Sequence, residues 1–73
     1  MTSQKYEIRH FNKFTQRDYL DVYEVFFSDA GFVEQVQYTG YENRRRVKAE
    51  TYVGDTARLI YTDITERTGG NGR

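Results

Sequence analysis

The chain has 73 residues, 11 Lys+Arg against 11 Asp+Glu, one histidine, and neither cysteine nor proline. That length fits one small domain with a marginal core, burying roughly 60% of the surface of the unfolded chain. Disulfide frameworks, thiolate metal sites and multi-histidine cages are excluded, and zero formal charge argues against a strong global field toward DNA or an anionic membrane.

Seven Tyr and five Phe make the chain 16% aromatic, whereas leucine occurs only at Leu20 and Leu59. The core must therefore be built from rings, each burying about 150–250 Å². This aromatic and β-branched content argues for an ordered chain despite 30% charged residues. No apolar run approaches the ~20 residues of a membrane-spanning helix, and the opening residues lack a signal-peptide pattern. The expectation is a cytoplasmic protein that does not enter a membrane.

In chain order, residues 1–4 are polar and read as a disordered N-terminus. Residues 5–11 (KYEIRHF) alternate as a first strand. The spacing predicts a helix over 16–30: Tyr19, Leu20, Val22, Tyr23, Phe26 and Phe27 gather on one arc and Asp18, Asp21 and Glu24 on the other. Thr15 with Asp18 resembles a capping box, and Phe14 with Tyr19 a hydrophobic staple. Gly31 suits a left-handed helix end, with Phe32 folding back on Phe27. Residues 32–38, 41–53 and 56–64 then read as strands, joined by two-residue turns at Thr39-Gly40 and Gly54-Asp55. Those turns pair Tyr38 with Tyr41 and Val53 with Thr56. They also place Phe32, Val36, Val47, Ala49, Val53, Ile60 and Ile64 beneath the helix. The expected fold is a two-layer α+β domain over 5–65, one helix on a small antiparallel sheet in β-α-β-β-β order, with a flexible tail over 66–73.

Catalytic chemistry finds little support. No G-x-S-x-G, Walker or G-x-G-x-x-G motif occurs, and His10 reads as a rim residue at the end of a strand. Asp18, Asp21 and Glu24 lack the loop glycine of a calcium site and read as a solvated face. The closing G-G-N-G opens no helix and so is no phosphate loop. No cofactor is expected.

The run Asn43-Arg44-Arg45-Arg46-Val47-Lys48 is the one constellation that suggests binding. In the expected register Arg44, Arg46 and Lys48 share the open sheet face with Tyr52 and Tyr61. Arg46 then lies opposite Asp63, Lys48 opposite Tyr61 and Glu34 opposite Arg45, so part of the run is neutralised. Tyr and Arg are the usual anchors of protein interfaces. The same residues also suit single-stranded nucleic acid, with phosphates on the cations and bases on the rings. The sequence thus reads as a small non-catalytic binding module acting on another protein, in an accessory, regulatory or inhibitory role. A nucleic-acid-binding module is the alternative. Leu59 and Tyr61 on the open face, and unprotected sheet edges, add the expectation of a homodimer.

Overall fold

The computed structural model describes residues 2–67. Four strands, β1 (Thr2–Asn12), β2 (Arg17–Phe27), β3 (Val33–Glu42) and β4 (Arg45–Val53), precede one helix, α1 (Gly54–Arg67). The sheet is an antiparallel meander in the order β1-β2-β3-β4, so the α+β class stands while the helix follows the strands instead of interrupting them. Among the described residues, no helix is long and apolar enough to cross a membrane.

The segment expected to be a helix is the central strand β2. Its apolar residues belong to two faces: Tyr19, Tyr23, Val25 and Phe27 on one, Leu20, Val22 and Phe26 on the other. A strand that is apolar on both faces imitates helical spacing, because seven apolar positions in nine residues crowd one arc at 100° as readily as they fill two parities. The expected capping box is absent. Asn12 Oδ1 instead accepts the N–H groups of Phe14 and Thr15 at 3.0 and 3.3 Å, organising the β1–β2 turn, and Phe14 stands out at its tip.

Gly31 does adopt positive φ (87°), but within a hairpin. Ser28 N–H donates to Phe32 O at 2.8 Å and Gly31 N–H to Ser28 O at 2.9 Å. This is a three-residue connection closed by a glycine bulge. A second irregularity between Phe26 and Phe27 leaves Glu34 unpaired and brings Val33 and Val36 to the same face.

Residues 39–40 form no turn, since β3 runs straight through them. The tight connection lies at Asn43-Arg44, both at positive φ (50° and 69°), as a type I′ hairpin demands. Asn43 also extends the β2–β3 pairing, its N–H meeting Asp18 O at 2.7 Å while Asp18 N–H meets Asn43 Oδ1 at 2.9 Å. Tyr38 accordingly pairs with Glu50, and Val36 with Tyr52.

Residues 56–64 are helical. Gly54, at φ 62°, turns the chain from β4 straight into α1. Asp55 in the first turn and Arg67 in the last complement the helix dipole. Ala57, Ile60, Tyr61 and Ile64 form the inward stripe at i, i+3, i+4, i+7. They close on Tyr6, Val25, Val33 and Val36 from the sheet, with Tyr23, Phe27 and Tyr52 at the margin. Of the seven residues expected beneath a helix, Val36 and Ile64 are buried, while Phe32, Val47 and Val53 are exposed. The expected ring-built core is only partly realised: Tyr6 is the one ring among six buried core residues, the rest being Val25, Val33, Val36, Ala57 and Ile64, while other rings line the margin. There Tyr61 meets Tyr6 edge-on at 6.2 Å and Phe27 at 5.6 Å, and Tyr23 lies 4.9 Å from Tyr38. Each such pair adds about 0.5–1.5 kcal/mol beyond area burial.

The terminal expectations also change. Thr2, Ser3 and Gln4 pair with Phe27, Phe26 and Val25 as part of β1. The tail expected over 66–73 lies outside the described residues from 68 onward, while Glu66 and Arg67 complete α1.

Candidate binding surfaces

The five residues expected to form one binding face are dispersed by the observed register. Arg44 sits in the β3–β4 turn. Arg46 pairs with Tyr41, which places it on the face away from the helix. Lys48 pairs with Gly40 and Tyr52 with Val36, both on the helix-bearing face. Tyr52 is half-buried and its hydroxyl donates to Glu50; that bond, with some burial, pushes its pKa up. Tyr61 belongs to α1 and packs into the core. The expected pairs fail with the register: Asp63 meets Arg67 at 3.2 Å, and Arg45 stands opposite Glu42.

Two other surfaces emerge. The first is the open sheet face, which no helix among the described residues covers. Its rows run Ser3–Phe26–Gln35–Val53, Lys5–Glu24–Gln37–Thr51, Glu7–Val22–Thr39–Ala49 and Arg9–Leu20–Tyr41–Arg46. Leu20, Val22, Phe26 and Tyr41 form a half-buried apolar middle interrupted by Glu24, and the other charged residues of these rows lie on β1 and β4. The sequence signal for this face was the doubly apolar β2, which helical spacing concealed.

The second is the end of the sheet formed by the β1–β2 and β3–β4 turns. On its open side Arg9, Asp18, Leu20, Tyr41 and Arg44 enclose a shallow cleft of about 340 Å³. Arg9 Nη1 donates to Asp18 Oδ2 at 3.3 Å, with Arg9 largely in solvent and Asp18 partly buried. On the other side Arg17 meets Glu42, a bond that raises the Arg17 pKa further. His10 stacks on Tyr19 at 6.3 Å, as a rim residue would. At the tip Phe14 is 91% exposed, with Lys13 Nζ 6.0 Å from its ring centre.

The acidic residues once grouped on a helix arc are separated and engaged. Asp18 holds Arg9, Asp21 accepts the Tyr38 hydroxyl at 2.8 Å, and Glu24 accepts Ser3 Oγ at 3.1 Å. Among the described residues, no three His, Cys, Asp or Glu side chains converge as a metal site would require. No protein-family model, curated protein or solved structure matches this chain.

Proposed function

We propose that the chain is a small non-catalytic binding module that works by laying its open sheet face on another protein, in an accessory, regulatory or inhibitory role. The observation carrying this reading is the apolar middle of a face with no second layer: Leu20, Val22 and Phe26 on the central strand β2. A sheet with one polar face alternates hydrophobic-in and polar-out, and β2 does not. Four strands about 4.8 Å apart and some nine residues long present roughly 600 Å². Two such faces would bury ~1,200 Å², the lower end of a specific interface. A second copy is the simplest partner, and the absence of cysteine suits a cytoplasmic setting.

Val22→Lys tests the reading, because it places a charge mid-face without touching the helix-side core. Sedimentation equilibrium at tens of micromolar should show association for the wild type and a monomer for the variant, with unchanged circular dichroism. If the wild type stays monomeric, partners captured from the source lysate should disappear with the Val22→Lys bait. Equal capture by both baits would remove the open face from consideration. The alternative nucleic-acid reading loses its first basis, since Arg46, Lys48, Tyr52 and Tyr61 do not share a face.

A further inference from the structure

Net neutrality hides a segregation of charge along the molecule. Residues 9–21 and 40–48, which the pairing brings to one end of the sheet, hold seven Lys/Arg and three Asp/Glu. Residues 2–8, 22–39 and 49–67 hold three Lys/Arg and eight Asp/Glu. The fold is 44 Å long against 23 and 18 Å across, several Debye lengths from end to end. One end is therefore a positive pole, although the chain as a whole has no net charge.

Three further features mark that end. Phe14 and Phe11 are exposed there, beyond any core they could serve. Among the described residues Lys13, Arg44, Arg45, Arg46 and Lys48 make no ion pair, so their charge faces solvent. Arg44 occupies the second position of the type I′ turn at φ 69°, where glycine is favoured and a side chain costs about 1–2 kcal/mol. This strained residue also borders the cleft, facing Arg9 across Tyr41 and Leu20.

We infer that the turn end of the sheet is a binding site for single-stranded nucleic acid, with one nucleotide seated in the Arg9–Tyr41–Arg44 cleft. Guanidinium groups on either side of a phenol ring match a phosphate beside a stacked base. Asp18 also lines the cleft and offers a carboxylate to a base N–H, such as the N3–H of thymine. Phe14 and Phe11 offer neighbouring bases a surface, and the remaining arginines follow the backbone. The cleft and the preponderance of arginine favour this ligand over an anionic bilayer, which needs cations but no concave seat.

The test is fluorescence anisotropy of a labelled oligothymidylate across a salt series, with wild type, Arg44→Gly and Phe14→Ser. Wild type should bind at low salt and weaken steeply as salt rises. Arg44→Gly should bind several-fold more weakly, with a log–log salt slope smaller by about 0.7, one phosphate contact on a single strand. The same variant should melt at a higher temperature, because glycine relieves the turn. Stability gained while affinity is lost separates a ligand contact from a structural one. Phe14→Ser should lower affinity with little change in salt slope. The inference is overturned by absence of binding at low salt, or by an Arg44→Gly variant that binds equally. Binding to phosphatidylserine vesicles with none to the oligonucleotide would overturn it in favour of a membrane surface.

Discussion

Gly40 sits inside β3, where glycine ordinarily weakens a strand for want of a side chain to pack. Tyr38, two residues before it, fills that space by lying over the glycine. A Cβ at position 40 would stand 2.7 Å from Tyr38 Oη and 3.3 Å from its Cζ. The ring cannot simply swing away, because its hydroxyl donates to Asp21 at 2.8 Å and its face rests on Tyr23. Glycine is thus required by the ring above it, not by a turn, which is why a Thr-Gly dipeptide misleads as a hairpin signal. Gly40→Ala should cost about 1–3 kcal/mol by overpacking, read as a lower urea midpoint at constant slope. In a Tyr38→Phe background, where the nearest atom is gone, the same substitution should cost measurably less. Additive costs would show that the two side chains do not compete for one space.

The elements were legible to different degrees, and the reasons are local. Residues 5–11 alternate cleanly because β1 is an edge strand with one buried face, and Tyr6 alone is fully enclosed. β2 misled because both of its faces are apolar. β3 concealed its face because the bulge at Glu34 sets Val33 and Val36 three residues apart on one side, a helical interval within a strand. The β3–β4 turn lacked the usual Asn-Gly signature, carrying arginine where glycine is expected. α1 hid behind Thr56, Ile60, Thr62, Ile64 and Thr65, β-branched residues that favour strands. Its i, i+3, i+4, i+7 stripe at 57, 60, 61 and 64 was nevertheless readable. Because the binding face was deduced from the turns, a displaced turn scattered the five residues assigned to it. The helical assignment is open to a direct comparison. Ile64→Ala, at a site 1% exposed, should destabilise by about 2–5 kcal/mol. Leu59→Ala, at a site 72% exposed, should stay within about 0.5 kcal/mol. Comparable losses at both positions would mean that 56–64 is buried on two sides, as a strand would be.

The described residues form one helix on one face of a long sheet, so the core is thin: Val25, Val33, Val36, Ala57 and Ile64 fill its centre with Tyr6, and further tyrosines close its margin where larger domains use leucine. That choice supplies area, since a buried ring displaces much water, and it also sets an alkaline limit. Four tyrosines have pKa values pushed above their ordinary 10.0. Burial is the leading cause for Tyr6, Tyr23 and Tyr38, with Tyr61 adding to the first and Asp21 to the other two. For Tyr52 the bond to Glu50 leads. Each phenol must stay protonated to keep its place: Tyr38 donates to a carboxylate, and a phenolate beside Asp21 would repel it. Below pH 10 both folded and unfolded chains hold these protons, so the tyrosines make stability independent of pH. Above it the unfolded chain releases them first, binds fewer protons than the native state, and stability falls as pH rises through the folded-state values. Thermal midpoints should therefore be level with respect to these groups up to about pH 10 and decline beyond it. Tyrosinate absorbance should lag behind that of the guanidinium-unfolded chain, then rise together with loss of circular dichroism. Tyr38→Phe should shift that alkaline transition to higher pH, because the phenol that must not ionise is gone. Coincident titration of native and unfolded chains, with a midpoint that stays level above pH 10, would mean that the tyrosine layer is open to water and that the helix does not seal it.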